Sequence, residues 1–193
     1  MRVAFYAPLK PPDSPIPSGD RKMARQLIAC LGSKGYDVKL ISRLKSREPH
    51  GLRHKQIIIK NRSDKIIRRL INRYLETDAW RPDIWFTYHM FYKAPDWLGP
   101  AISKALKIPY VIAEASHAPK RNKGEWSFNQ EQVVLALKHA DLIIGLNSND
   151  ECCVKEAISS NCTYAFIKPF EGFKVSFSIE FNHPVQRLSL IHI

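Results

Sequence analysis

Ser18–Gly35, SGDRKMARQLIACLGSKG, sits between two β runs, Val3-Ala4-Phe5-Tyr6-Ala7 before it and Val38-Lys39-Leu40-Ile41 after it. Met23, Ala24, Leu27, Ile28 and Leu31 recur at helical spacing, so one face of the segment is apolar and suited to lie on a sheet. Ser18 predicts the N-cap, because its hydroxyl can accept from a backbone N–H that the first turn leaves orphaned. Gly35 predicts the left-handed stop. Gly19 has no side chain to block the close approach of a bound group to the backbone. The unit is strand, long loop, helix, strand, which opens a parallel α/β sheet. Its loop delivers a helix N-terminus to the carboxyl edge of the sheet, where such folds bind ligands.

Working outward, the loop from Pro8 to Pro17 carries five prolines, which fix much of its backbone. A stiff loop there serves as a ligand wall or as a clamp over the sheet edge. Ser42 to His54 is basic and polar and reads as a mobile connection. Gln56-Ile57-Ile58-Ile59 reads as a short buried strand, and Ile66, Ile67, Leu70, Ile71, Tyr74 and Leu75 as a helix. Arg81-Pro82-Asp83-Ile84-Trp85-Phe86-Thr87 reads as the next strand, ending in Tyr88-His89. Pro95 to Leu106 reads as a helix begun by proline and ended before Ile108-Pro109. Tyr110-Val111-Ile112-Ala113 is a strand, Ser127 to His139 a helix, and Asp141 to Leu146 a strand. Ser148 to Ser159 reads as a helix with Ser148 and Glu151 in a capping box, and Tyr164 to Ile167 as a last strand. The alternation predicts a Rossmann-like, mostly parallel sheet with helices on both faces. From about Phe173 the rhythm stops. The final Leu188-Ser189-Leu190-Ile191-His192-Ile193 matches the translation of a common transposon-end sequencing adapter, so a non-native end is expected.

The chain has 193 residues, 45% hydrophobic and 25% charged, ordinary for a globular protein of one domain or one domain plus a piece of another. Its net charge of +12 is concentrated. Sixteen Lys and Arg lie between Arg21 and Arg73, against only Asp37, Glu48 and Asp64. A sugar nucleotide, an anionic membrane surface and nucleic acid are the candidate partners, beside a merely solvated basic face. Cys30, Cys152, Cys153 and Cys162 show no C-x-x-C spacing, so reduced thiols and a cytoplasmic location are expected. The apolar start breaks at Pro8, too soon for a signal peptide, and no run reaches the ~18 residues of a membrane helix. Peripheral contact with the inner membrane face stays open through the basic surface. His50 and His54 are four apart, but Gly51 and the basic neighbours argue against a metal site.

The segments RVAFYAPL, PSGDRKMARQL, RPDIWFTYH, KAPDWLGPAI, IPYVIAEASHAPKR and ADLIIGLN, in this order, resemble the N-terminal half of a family 4 glycosyltransferase. The resemblance covers Met1 to Phe170. It implies the GT-B architecture, in which two Rossmann-like domains face each other across a cleft, and retaining transfer of a sugar from a nucleotide-sugar to a glycan, lipid or other acceptor. Residues 1–170 would be the acceptor-side domain, and 171–193 a truncated start of the second domain or a non-native tail. The family's second domain carries two glutamates separated by seven residues, and no two glutamates here lie eight positions apart. The chain alone is therefore expected to be inactive.

By the same resemblance Gly19, with Ser18 before it, lies near the donor diphosphate, where backbone N–H groups and the helix dipole favour phosphate. His117 falls where the family has a histidine beside the transferred sugar, and His117 and Glu114 are the catalytic candidates. Glu114 has the further readings of binding an acceptor hydroxyl or pairing with Lys120 or Arg121. His89 follows the preceding strand in the same way. Lys120 and Arg121 are candidates for meeting phosphate, or form a solvated pair. No metal and no cofactor is expected, because the family neutralises the diphosphate with basic side chains and the helix end. The rival is a non-enzymatic nucleic-acid module using the Arg21–Arg73 surface, but no helix-turn-helix, zinc-finger or RNP signature is present, so nucleic acid is the weaker partner.

Overall fold

The computed structural model describes residues 1–168 and the short segments Ser178–Ile179 and Ile191–His192. Within it the helix read from Ser18 joins two neighbouring parallel strands, as its sequence requires. The elements run β1 (Arg2–Tyr6), α1 (Gly19–Ser33), β2 (Asp37–Ser42), α2 (Arg53–Leu75), β3 (Ile84–Met90), α3 (Gly99–Leu106), β4 (Tyr110–Ala115), α4 (Ser127–His139), β5 (Leu142–Gly145), α5 (Glu151–Ala157) and β6 (Thr163–Phe166). The six strands form one sheet in the order β2-β1-β3-β4-β5-β6, and every pairing is parallel. Ser178–Ile179 and Ile191–His192 form a separate antiparallel pair. The fold is α/β and Rossmann-like. The 170/171 boundary and the remaining expectations for the C-terminal stretch lie outside the described residues.

β1 is flanked by β2 on one side and β3 on the other, so the direction in which strands are added reverses between β1 and β3. The two sheet faces are covered differently. Val3, Phe5, Phe86, Val111 and Ile144 point toward the face carrying Ala24, Leu27 and Leu31 of α1. Ala4, Tyr6, Trp85, Ile112 and Ile143 point toward the face covered by α2 to α5. Alternation along buried parallel strands produces this division. Each large side chain so buried contributes roughly 1.5–3 kcal/mol. Phe5 stacks on Phe86 at 5.6 Å between adjacent strands.

Ser18 caps α1 as expected: its backbone is extended and its hydroxyl accepts from the Arg21 N–H at 3.2 Å. Gly35 takes the left-handed conformation, with φ 78°. Other boundaries differ. Gln56–Ile59 is helical, because a run of three isoleucines has no period of its own and is decided by its neighbours. Gln56, Ser63, Leu70 and Tyr74 recur at helical spacing on the buried side of α2, while Ile57 and Ile58 are exposed. α3 starts at Gly99 rather than Pro95, because the buried Asp96 carboxylate accepts from the Leu98 and Gly99 N–H groups, both at 2.8 Å. The capping box at Ser148 does not form. Asn147 accepts from the Asn149 N–H and opens a single 3₁₀ turn, Ser148–Asp150, before α5.

The connection after β2 is pinned along its length. The Ser46 N–H donates to the Pro8 carbonyl and its hydroxyl to the Pro95 carbonyl. The Glu48 N–H donates to the Lys93 carbonyl, and the Glu48 carboxylate accepts from His50 and Leu52 N–H groups. Ser46 and Glu48 are buried. Polar composition suggested mobility here, but the buried Ser46 and Glu48 have found partners. The proline loop is likewise tied down, with Arg25 of α1 donating to the Pro12 carbonyl at 2.7 Å.

Candidate functional site

At the carboxyl ends of β3 and β4 the side-chain alternation breaks. Along β3, Ile84, Phe86 and Tyr88 face α1, while Trp85 and Thr87 face the other side. Continued alternation would send His89 to the side of Trp85 and Met90 to the side of Tyr88. Instead Met90 enters the core under α2 to α5, and the His89 ring reaches Asp20 in the first turn of α1. β4 repeats the pattern one strand over. Val111 and Ala113 face α1, Ile112 faces away, and yet Ala115 again joins the far core while Glu114 opens beside Asp20 and Met23.

The cause lies in the backbone. His89 has φ 58° and Glu114 has φ 60°, both in the left-handed region. Tyr88 pairs with Ala113 and Met90 with Ala115, so these two residues occupy matching places on adjacent strands. One left-handed residue resets the phase of each strand, which keeps a carboxylate and an imidazole out of an apolar core and turns them toward one spot. A non-glycine residue there costs about 1–2 kcal/mol, and strain of this kind collects at functional sites. The other left-handed non-glycine residue among the described ones, Lys107, is the ordinary C-cap of α3.

Asp20, His89 and Glu114 form one constellation. His89 Nδ1 is 2.8 Å from Asp20 Oδ1 and 4.0 Å from Glu114 Oε2. With Asp20 ionised, the bond holds the ring proton on Nδ1 and leaves Nε2 as an acceptor. Asp20 is itself favoured by the positive end of α1. Tyr88 lies alongside, its phenol pushed well above the usual range by burial and then by the charges of Glu114 and Asp20. It therefore stays protonated, and its hydroxyl donates to the Glu114 carboxylate.

Asp20, Tyr88 and Glu114 line a groove of about 680 Å³ at the point where strand addition reverses, the place where open parallel sheets bind ligands, and His89 is tied to it through Asp20. Gly19 lies in its floor, and a Cβ built on Gly19 meets no atom within 4 Å, so that backbone is open. Met23, Leu146 and Phe166 form apolar walls, and Asn147 and Ser148 bring polar groups from the β5 side. Ser116 Oγ donates to Asp150 at 2.6 Å and Asn147 Nδ2 to the same carboxylate at 2.9 Å, which fixes that wall. The Asp20 and Glu114 carboxylates offer acceptors beside apolar walls. The arrangement suits a neutral, hydroxyl-rich group better than a bare phosphate, which would meet Asp20 and Glu114.

The structure thus brings together Gly19, Glu114 and His89 from the sequence candidates, with Ser18 engaged as the cap beside them. His117 is held elsewhere: its Nδ1 lies 2.9 Å from the Cys153 carbonyl of α5, and its Nε2 is buried without a hydrogen-bond partner among the described residues. Lys120 and Arg121 sit in a 3₁₀ turn away from the groove lining, with Arg121 over the Tyr92 ring at 5.1 Å. Among the described residues Glu114 is paired with His89, at 4.0 Å, and not with Lys120 or Arg121. Asp20 and Tyr88 escaped sequence reasoning. Asp20 had one signal, an acidic residue in the first turn of the helix opposite the strand ends; for Tyr88, burial at a strand end gave none. No protein-family model matches the chain, and no curated protein matches it significantly.

Proposed function

We propose that this domain is the acceptor-side half of a nucleotide-sugar glycosyltransferase, and that the groove between α1 and the ends of β3 and β4 holds a hydroxyl-rich substrate group. The observation that carries the reading is the matched left-handed pair, His89 and Glu114, turned toward Asp20 at the strand-reversal point. His89 bonds Asp20 and orients its carboxylate, which accepts from a substrate hydroxyl. Glu114 accepts from a second hydroxyl and fixes the sugar ring. The segment order that resembles family 4 glycosyltransferases supports the same class. This sequence holds no glutamate pair of the family's spacing, so binding without turnover is the behaviour expected of the chain.

Titration of the 193-residue chain with nucleotide-sugars and with free glycans, followed by tryptophan fluorescence, tests this reading. Losing a hydrogen bond to a charged group costs about 1.5–3 kcal/mol, so His89→Ala and Glu114→Gln should each weaken binding about tenfold to a hundredfold. His117→Ala, carried beside them, measures whether the resemblance's histidine serves the same site. Failure of every saccharide and nucleotide-sugar to bind, or binding untouched by both groove variants, would overturn the assignment.

A further inference from the structure

α2 is the longest helix among the described residues, 23 residues or about 34 Å. It carries Arg53, Lys55, Lys60, Arg62, Lys65, Arg68, Arg69 and Arg73 against one acid, Asp64, which Lys60 engages at 2.6 Å. Gln56, Ser63, Leu70 and Tyr74 mark its buried side. The helical repeat puts Ile57, Ile58, Asn61, Lys65, Arg68 and Arg69 on the far side, and all six are exposed. Ile57 and Ile58 are 40% and 48% exposed although neither has a polar atom to hydrate. They occupy the first turns of α2, followed along the same face by the cationic residues. No helix among the described residues is long and apolar enough to cross a membrane. A face that mixes aliphatic and cationic side chains is suited to lie on a membrane instead.

We propose that the outward face of α2 docks on an anionic lipid bilayer, with Ile57 and Ile58 entering the headgroup–acyl boundary and Lys65, Arg68 and Arg69 meeting lipid phosphates. Charge complementarity selects an anionic surface, since each Lys or Arg near such a surface adds attraction. The apolar component selects lipid over nucleic acid. Single-strand-binding faces stack bases on aromatic rings set among their cations, and the exposed apolar residues among these cations are isoleucines. This inference stands independently of the transferase reading.

The test is co-sedimentation of the full 193-residue chain with vesicles of phosphatidylcholine alone and of phosphatidylcholine containing about one third phosphatidylglycerol, with melting temperature measured for every variant. Binding to the anionic vesicles, weakened by salt and absent from the neutral ones, is expected. Arg68→Glu with Arg69→Glu should weaken it at least about tenfold, and Ile57→Ser with Ile58→Ser by a comparable factor with all charges retained. These positions are exposed, so the fold should survive both pairs. No vesicle binding, equal binding to the two vesicle types, or binding indifferent to the isoleucine pair would overturn the proposal. Tighter binding to duplex DNA, lost with the charges and untouched by the isoleucine pair, would overturn it in favour of a nucleic-acid face.

Discussion

The left-handed backbone at His89 and Glu114 makes a prediction with a sign that ordinary strand residues cannot reproduce. Each position is replaced once by alanine and once by glycine. Both substitutions remove the same contacts, including the His89–Asp20 bond, so their difference isolates the backbone. In ordinary strand geometry glycine is less stable than alanine by roughly 0.5–1 kcal/mol, because glycine loses more freedom on folding. At φ near +60° alanine carries the left-handed penalty of about 1–2 kcal/mol and glycine does not. Subtracting the entropy of glycine leaves its variants more stable than the alanine variants by about 0.75 kcal/mol at the midpoints of the two ranges. The two expectations therefore differ in direction.

Urea unfolding measures this directly, provided the slope against denaturant is the same for both members of a pair, so that a shift of midpoint reports stability alone. In a thermal scan the same difference corresponds to roughly 1–4 °C for a chain of this length. The glycine variants should also bind the groove's substrate no better than the alanine variants, since the strain serves to present side chains that both lack. If glycine proves less stable than alanine at both positions, the phase reset described for β3 and β4 is wrong.

Two further perturbations probe the frame around the groove. Gly99→Ala should cost about 1–3 kcal/mol or more, because its new Cβ would lie 2.6 Å from the Tyr110 ring and 2.8 Å from Trp85 Nε1 as well as against the Asp96 carboxylate, all buried and linked through the hydrogen bonds of Thr87 and Asp96; a melting temperature within a degree of the parent would refute that packing. Asp83 has its pKa lowered: burial raises it, but its hydrogen bonds with the Arg2 guanidinium and backbone N–H outweigh that. A depressed folded value means stability that is fully present above the ordinary carboxylate value of 3.8 and is lost as pH falls through the lower folded one. Asp83→Asn should therefore reduce the acid dependence of unfolding in that window, and an unchanged acid limb would show that the pair contributes nothing.

The parallel α/β alternation and the capped helix after the proline loop were legible because each rests on local chemistry. Ser18 capped because a hydroxyl placed before an amphipathic run has one obvious donor to satisfy. Gln56–Ile59 misled for the opposite reason. Three adjacent isoleucines satisfy either period, and only the buried Ser63, Leu70 and Tyr74 downstream commit the segment to a helix. The connection carrying Ser46 and Glu48 misled because its partners, Pro8, Lys93 and Pro95, are distant in sequence.

The site was half legible, and the missing half follows from the backbone. Topology places ligands beyond strand ends, and Gly19, His89 and Glu114 all followed from that rule. The rule does not say which way a side chain at the strand end turns. His117 and Glu114 stand three residues apart after the same strand, and composition gives no reason to prefer one. The choice is made by a single dihedral at Glu114 and its counterpart at His89, which no propensity favours in residues bearing a Cβ. Such a conformation persists only where surrounding packing enforces it, here Met90 and Ala115 anchored in the far core immediately after each strained residue. Burial of those two neighbours compensates for the strain and delivers the imidazole and the carboxylate to Asp20. The apolar residues that follow the site are therefore part of what builds it: replacing Met90 or Ala115 with a polar residue would release the backbone that aims His89 and Glu114.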